Sequence, residues 1–245
     1  MEWRATARTG RPHVKLYEEE KEQPIVILND FNASMYFGSR IALKSVIAAR
    51  LAALLAWVSV EQGDRVGGVL VTANRHDAYA PKARDVGIFP WLLKLSEYTA
   101  LAYTQPRHNH KISQPLYKQL LYLRRVAKPG TTLVLISDFY TLDAQAEKQL
   151  AWLQAHHMMI IYHICDPLEM AAPQPNQYPL SDGEHSLVWD TQLRAVRRNY
   201  DRLCHAHQQQ LQALCQRRQL LYTPVLPDTN LIALVHDTFP RRKRV

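Results

Sequence analysis

Three apolar runs of this 245-residue chain each end in an aspartate: Asp30, Asp138 and Asp166. Asp30 is followed at two-residue steps by Asn32 and Ser34, each with a side-chain oxygen. Neighbouring parallel strands place their carboxyl ends where open sheets bind ligands. Asp30, Asn32, Ser34 and Asp138 would there form a partial shell for one hard cation. Mg²⁺ or Mn²⁺ suits oxygen donors of this kind and retains some waters. A strand-end aspartate taken alone is more often a turn or capping residue. The joint pattern therefore carries the reading, and Asp166, which precedes Pro167, is assigned to a turn. Phe31, Met35 and Tyr36 in the loop, with Phe139 beside Asp138, would give apolar contact surface around a polar centre, the anatomy of a protein contact. Phe37 is expected to turn inward against the next helix.

Positioning these residues requires strands buried on both faces. Pro24 to Asp30, Val66 to Thr72, Thr131 to Asp138 and Met158 to Asp166 are β-prone runs without polar alternation, the mark of a parallel sheet. Helices are predicted between them at Ser39–Gln62, Pro90–Tyr103, Pro115–Ala127 and Asp143–His157. The segment from Arg75 to Arg84 reads as irregular with a short edge strand. A hairpin follows, with Asp182-Gly183 as its turn between Tyr178–Leu180 and Ser186–Trp189. A long helix spans Thr191–Arg217, then a strand Leu220–Val225 and a closing helix Asp228–Thr238. The alternation predicts a doubly wound, mostly parallel α/β sheet flanked by helices. Residues 1–24 read as an extended lead-in and 25–240 as one domain. The hairpin and long helix are inserted at about 177–218, and 241–245 are a basic tail.

Composition fits a soluble globular domain, 47% hydrophobic and 21% charged. No secretory signal follows Met1. The apolar stretch Ile41–Val60 carries Lys44 and Arg50, so it reads as a buried helix and not as a membrane span. Three cysteines, Cys165, Cys204 and Cys215, fit no disulfide framework and suggest small core residues in a reducing, cytoplasmic setting. The net charge of +8 gathers at Arg4, Arg8 and Arg11, at Arg194, Arg197, Arg198 and Arg202, and at Arg241–Arg244. It would steer acidic partners; nucleic-acid binding rests on charge alone and is not favoured. His108-Asn109-His110 and the Cys204-His205-Ala-His207 string lack the spacing of a nuclease or zinc site. Asp30 also suits a phosphotransfer nucleophile, but Asn32 stands where such an enzyme needs an acid.

Asp30 to Gly38, Lys44 and Gly63 to Gly67 resemble the bacterial "domain of unknown function 58" family. So do Glu2 to Thr9, Ile136 to Phe139 and Asp166 to Glu169, in the same order along the chain. Within it, Asp30 to Ser34 is similar to the metal-ion-dependent adhesion motif, aspartate-x-serine-x-serine. The resemblance implies a von Willebrand factor A-like fold without catalytic activity. It also implies partnership with a MoxR-type AAA+ ATPase, or with a client that the ATPase remodels. Two departures bear on the metal. Asn32 replaces the first motif serine, and Asn74 through Glu97 contains no threonine to supply the second loop. Metal binding is accordingly expected to be weak or absent. Family members usually carry further sequence, often with membrane helices, before the Trp3-Arg4 block.

Overall fold

The computed structural model describes Arg8 and residues 22–104, 114–181 and 185–240. Most of the lead-in, the histidine string at 108–110, the hairpin turn at Asp182-Gly183 and the basic tail lie outside the described residues.

A six-stranded sheet forms the centre, in the order β3-β2-β1-β4-β5-β8. Its strands are β1 (Pro24–Phe31), β2 (Arg65–Thr72), β3 (His76–Lys82), β4 (Thr132–Ser137), β5 (Met158–Ile164) and β8 (Leu221–Val225). All neighbours are parallel except β2 and β3. The hairpin β6 (Gln177–Ser181) and β7 (Ser186–Asp190) stands apart as a two-stranded sheet.

The continuous apolar runs follow from burial on both faces. Alternate side chains of a strand point to opposite sides. Ile25, Ile27 and Phe31 of β1 join one core with α1 (Lys44–Glu61) and α2 (Asp85–Thr104). Val26 and Leu28 join the other, with α3 (Leu116–Val126), α4 (Ala144–Gln154) and the end of α6 (Arg194–Arg217). The short α5 (Pro167–Met170) follows β5, and α7 (Leu231–Thr238) packs on the α1 side. Among the described residues no helix is long and apolar enough to cross a membrane. Cys165 and Cys215 are buried, Cys204 is half-buried, and none is bridged.

Four helix starts differ from the sequence expectation, and that of α6 falls at Arg194 and not at Thr191. Helix α1 begins at Lys44 and not at Ser39, because residues 39–41 bend and the Ser39 N–H donates to Asp166 Oδ2 at 2.8 Å, across the sheet edge and not into a helix turn. Helix α2 begins at Asp85, five residues early, and keeps Pro90 inside it. Burial of Ile88 and Trp91, each 1% exposed, outweighs the hydrogen bond that Pro90 cannot make. Asn230, not Asp228, caps α7, accepting from the N–H groups of Ile232 and Ala233. The capping oxygen there serves the first turn in the usual way.

The outer strands each carry a proline, Pro81 in β3 and Pro224 in β8. On β2, Gly68 allows the indole of Trp91 to lie directly on the strand: a Cβ there would stand 2.0 Å from Trp91 Nε1. Overpacking of this kind costs about 1–3 kcal/mol. Gly68→Ala is expected to lower stability by that amount, read as a drop in the urea midpoint at unchanged slope. An unchanged midpoint would show that Trp91 does not rest on β2.

Candidate functional site

The structure brings Asp30 and Asp138 to the carboxyl ends of the adjacent central strands β1 and β4. Both are buried. Asp30 Oδ1 accepts from the Asn32 N–H at 2.9 Å, and Oδ2 accepts from Ser137 Oγ at 2.8 Å. Asn32 is only 1% exposed, and both polar atoms of its amide are engaged. Its Nδ2 donates to the Gln114 carbonyl at 3.0 Å and its Oδ1 accepts from the Gln114 N–H at 2.8 Å. This pair pins the segment that enters α3. Ser34 is half-buried in the 3-10 turn.

Asp138 has a cation of its own. The Lys44 ammonium, fully buried at the first turn of α1, lies 2.7 Å from Asp138 Oδ2 and 2.5 Å from Glu169 Oε1. The ring of Tyr140 lies 5.1 Å from the same nitrogen, within reach of a cation–π contact. Burial works to lower the Lys44 pKa, but the two carboxylates outweigh it and the net direction is up. The lysine is therefore charged at neutral pH. Glu169 Oε2 accepts from the Asp166 N–H at 2.9 Å, and Asp166 Oδ1 accepts from the Leu168 N–H at 2.9 Å. Together they form a reciprocal capping box on α5. The turn role expected of Asp166 is thus a cap, which also holds Ser39.

The loop after β4 is strained. Phe139 has φ +56°, in the left-handed region that bulky residues avoid. Its N–H donates to Ser137 Oγ at 3.0 Å, and the next N–H, of Tyr140, donates to Asp138 Oδ1 at 3.2 Å. The Asp138 carbonyl accepts from His207 Nε2 at 3.0 Å, and the His207 ring stacks on Tyr140 at 4.4 Å.

These residues do not fit a resident divalent ion. Lys44 already holds the position between Asp138 and Glu169, and the Asn32 amide is committed to Gln114. Among the described residues no three His, Cys, Asp or Glu side chains are grouped to hold a metal. The expected contact surface also needs correction. Phe31, Met35 and Phe139 are at most 1% exposed and belong to the two cores. Phe31 closes a strand that is buried from Ile25 onward and packs edge-on against Tyr98. Tyr36 is half-buried and donates to the Tyr98 carbonyl at 2.9 Å. Phe37, expected inside, is 40% exposed. Ile41 and Tyr140 are exposed near the same helix start, where the Phe37 carbonyl accepts from the Lys44 N–H.

Lys44 and Glu169 were the missed residues. A lysine on a helix that is apolar nearly all round was the available signal for one. The Asp-x-x-Glu spacing of a capping box was the signal for the other.

Burial, and then the charge of Asp138, push the Asp30 carboxyl up to about 7, against hydrogen bonds from Asn32, Ser137 and Gln119. An acid raised in this way stabilises the fold fully below its unfolded value, and that share is lost as pH rises through the folded value. Asp30→Asn removes the titration. The stability of wild type relative to this variant is expected to fall between about pH 5 and about pH 8, measured by urea unfolding at both. A difference that stays constant with pH would show that Asp30 is not raised.

A family model, "Protein of unknown function DUF58", matches residues 1–210 of the chain. The uncharacterized proteins Rv1480 of Mycobacterium tuberculosis and Mb1516 of Mycobacterium bovis are each 26% identical over 210 residues, covering 84% of this chain. The chain spans 63% of the length of these relatives. Among solved structures, the conserved hypothetical protein BatB from Bacteroides thetaiotaomicron aligns with a TM-score of 0.51 at 14% identity, covering 89% of this chain and 97% of that one. A von Willebrand factor type A protein from Catenulispora acidiphila aligns with a TM-score of 0.44 at 12% identity, covering 89% and 41%. The fold, a mostly parallel sheet flanked by helices, is von Willebrand factor A-like, and the chain belongs to the DUF58 family of proteins of unknown function.

Proposed function

We propose that the chain is a protein-interaction module that uses the carboxyl edge of its sheet. Its partner is a MoxR-type AAA+ ATPase, or a client protein that the ATPase assembles or activates. The single observation that carries the reading is the build of that edge. A buried charge cluster of Lys44, Asp138 and Glu169 meets the exposed ring of Tyr140, 5.1 Å from the ammonium, and exposed Phe37 and Ile41 lie in the segment that leads into Lys44. Rigid apolar and aromatic groups around a polar centre are how protein contacts gain affinity at small entropic cost. Family membership and the fold support the class of function, and the MoxR partner follows from the resemblance noted in the sequence.

The same edge is poorly built for phosphotransfer. The Asp30 carboxylate is 2% exposed, and each of its oxygens accepts a hydrogen bond. A nucleophile must reach the phosphorus within about 3–3.5 Å, and Asn32 carries no proton to give a leaving group.

Two outcomes are expected. Phe37→Ser combined with Tyr140→Ala should weaken binding to the MoxR-type ATPase by about tenfold or more, since buried aromatic anchors are each worth ~2 kcal/mol, while the melting temperature moves little. Calorimetry with the purified ATPase reads this, and undiminished affinity would remove the edge as the contact surface. Purified wild type should turn over no p-nitrophenyl phosphate. Activity that disappears in Asp30→Asn would make the chain an enzyme.

A further inference from the structure

We propose that Lys44 is the resident cation of this edge. Its ammonium, tethered through α1, takes the place between the strand-end carboxylate and its neighbours where the sequence pattern leads one to expect Mg²⁺ or Mn²⁺. Glu169 supplies from within the chain the acid that a partner would otherwise bring, and recognition at the edge is therefore independent of divalent ions. That last clause rests on the interaction reading above; the assignment of the cation does not.

The geometry is that of an ion in its site. The nitrogen stands 2.7 Å from Asp138 Oδ2 and 2.5 Å from Glu169 Oε1, the distances of short charge-assisted hydrogen bonds. A magnesium ion would bind the same oxygens at about 2.0–2.1 Å, so ammonium and metal exclude each other by volume as well as by charge. Neither carboxylate is free to turn to another ligand. Asp138 Oδ1 is held by the Tyr140 N–H, and Glu169 Oε2 by the Asp166 N–H. Asp138 and Glu169 come from different strand ends, β4 and β5, so the lysine bridges the two loops as a metal would. Its side chain is fully buried, while that of Glu169 keeps 16% exposure. Glu169 is thus the member of the cluster nearest to solvent.

The test uses the purified chain and Mn²⁺ alone, followed by electron paramagnetic resonance of the free ion and by thermal melting. Wild type is expected to show no Mn²⁺ binding that depends on Asp138. Lys44→Ala shortens the side chain and leaves Asp138 and Glu169 facing an open position. It should gain Mn²⁺ affinity at least tenfold and melt higher with Mn²⁺ than with chelator, and adding Asp138→Ala should abolish both effects. Lys44→Met keeps most of the stem and should gain nothing. Should Lys44→Ala fail to fold in chelator, its refolding yield with and without Mn²⁺ gives the same reading. Asp138-dependent Mn²⁺ binding by wild type would overturn the proposal, as would a Lys44→Ala protein that responds to Mn²⁺ no more than the double variant. With the ATPase as ligand, a wild-type complex that survives chelator supports ion-independent recognition, and one that dissociates overturns it. Failure to form any complex counts against the interaction reading, and the Mn²⁺ titration then decides the cation by itself.

Discussion

A lysine ammonium cannot be buried alone. Removing it from water costs several kcal/mol even after the protein relaxes, and only well-placed partners offset that. Lys44 has two, and they belong to different elements. The helix α1 can therefore take its position only when β4 ends at Asp138 and α5 brings Glu169 into place. The same edge is tied by Asn32 to the entry of α3 and by Asp166 to Ser39. These bonds join segments far apart in sequence, and each is buried or partly so. Taking away the ammonium would leave two buried carboxylates uncompensated, a loss of about 3–5 kcal/mol and a large share of the stability of an ordinary domain.

That one ion also separates two residues that look equivalent in the sequence. Asp30 and Asp138 end neighbouring strands, and both are buried. Asp138 faces the ammonium. Asp30 faces a hydroxyl and a peptide N–H, and the charge of Asp138 reaches it as a repulsion. Burial and repulsion together push Asp30 towards its neutral form. The pair is thus split by which of them meets Lys44, and in place of a shared-metal scheme one acid is ion-paired with the lysine while the other is pushed towards its neutral form.

The sheet was legible because its information is local. Two-sided burial leaves uninterrupted apolar runs, and a run ending in Asp marks the edge without any tertiary knowledge. The parallel strands and the hairpin partners follow from such runs and their turns, whereas the polar, alternately buried strand His76–Lys82 reads in the sequence as an irregular segment with only a short edge strand. What the sequence hid was direction. Phe31, Met35, Tyr36 and Phe37 are chemically alike, and only the 3-10 turn decides that Met35 enters the core while Phe37 leaves it. Ser39 has the look of a helix cap, yet Asp166, 127 positions later, claims its N–H. Lys44 was hidden for the same reason. A cation on an apolar helix reads as a snorkelling surface residue until two distant acids are known to meet it. Leu193, just before α6, and Leu203, in its first half, keep the helical spacing of a core stripe but stand exposed, while Leu211 and Leu214 are buried.

The prolines of the outer strands set a limit on how this sheet can meet other chains. An unpaired strand edge is an invitation to add another strand, whether from a partner or from a second copy. Pro81 and Pro224 each delete an N–H from such an edge and stiffen the chain around it. Lateral extension of the ladder is thereby discouraged on both flanks, which guards against stacking into fibrils. Partners that recruit a strand from their target meet an interrupted template at β3 and β8, which favours a face across the strand tips.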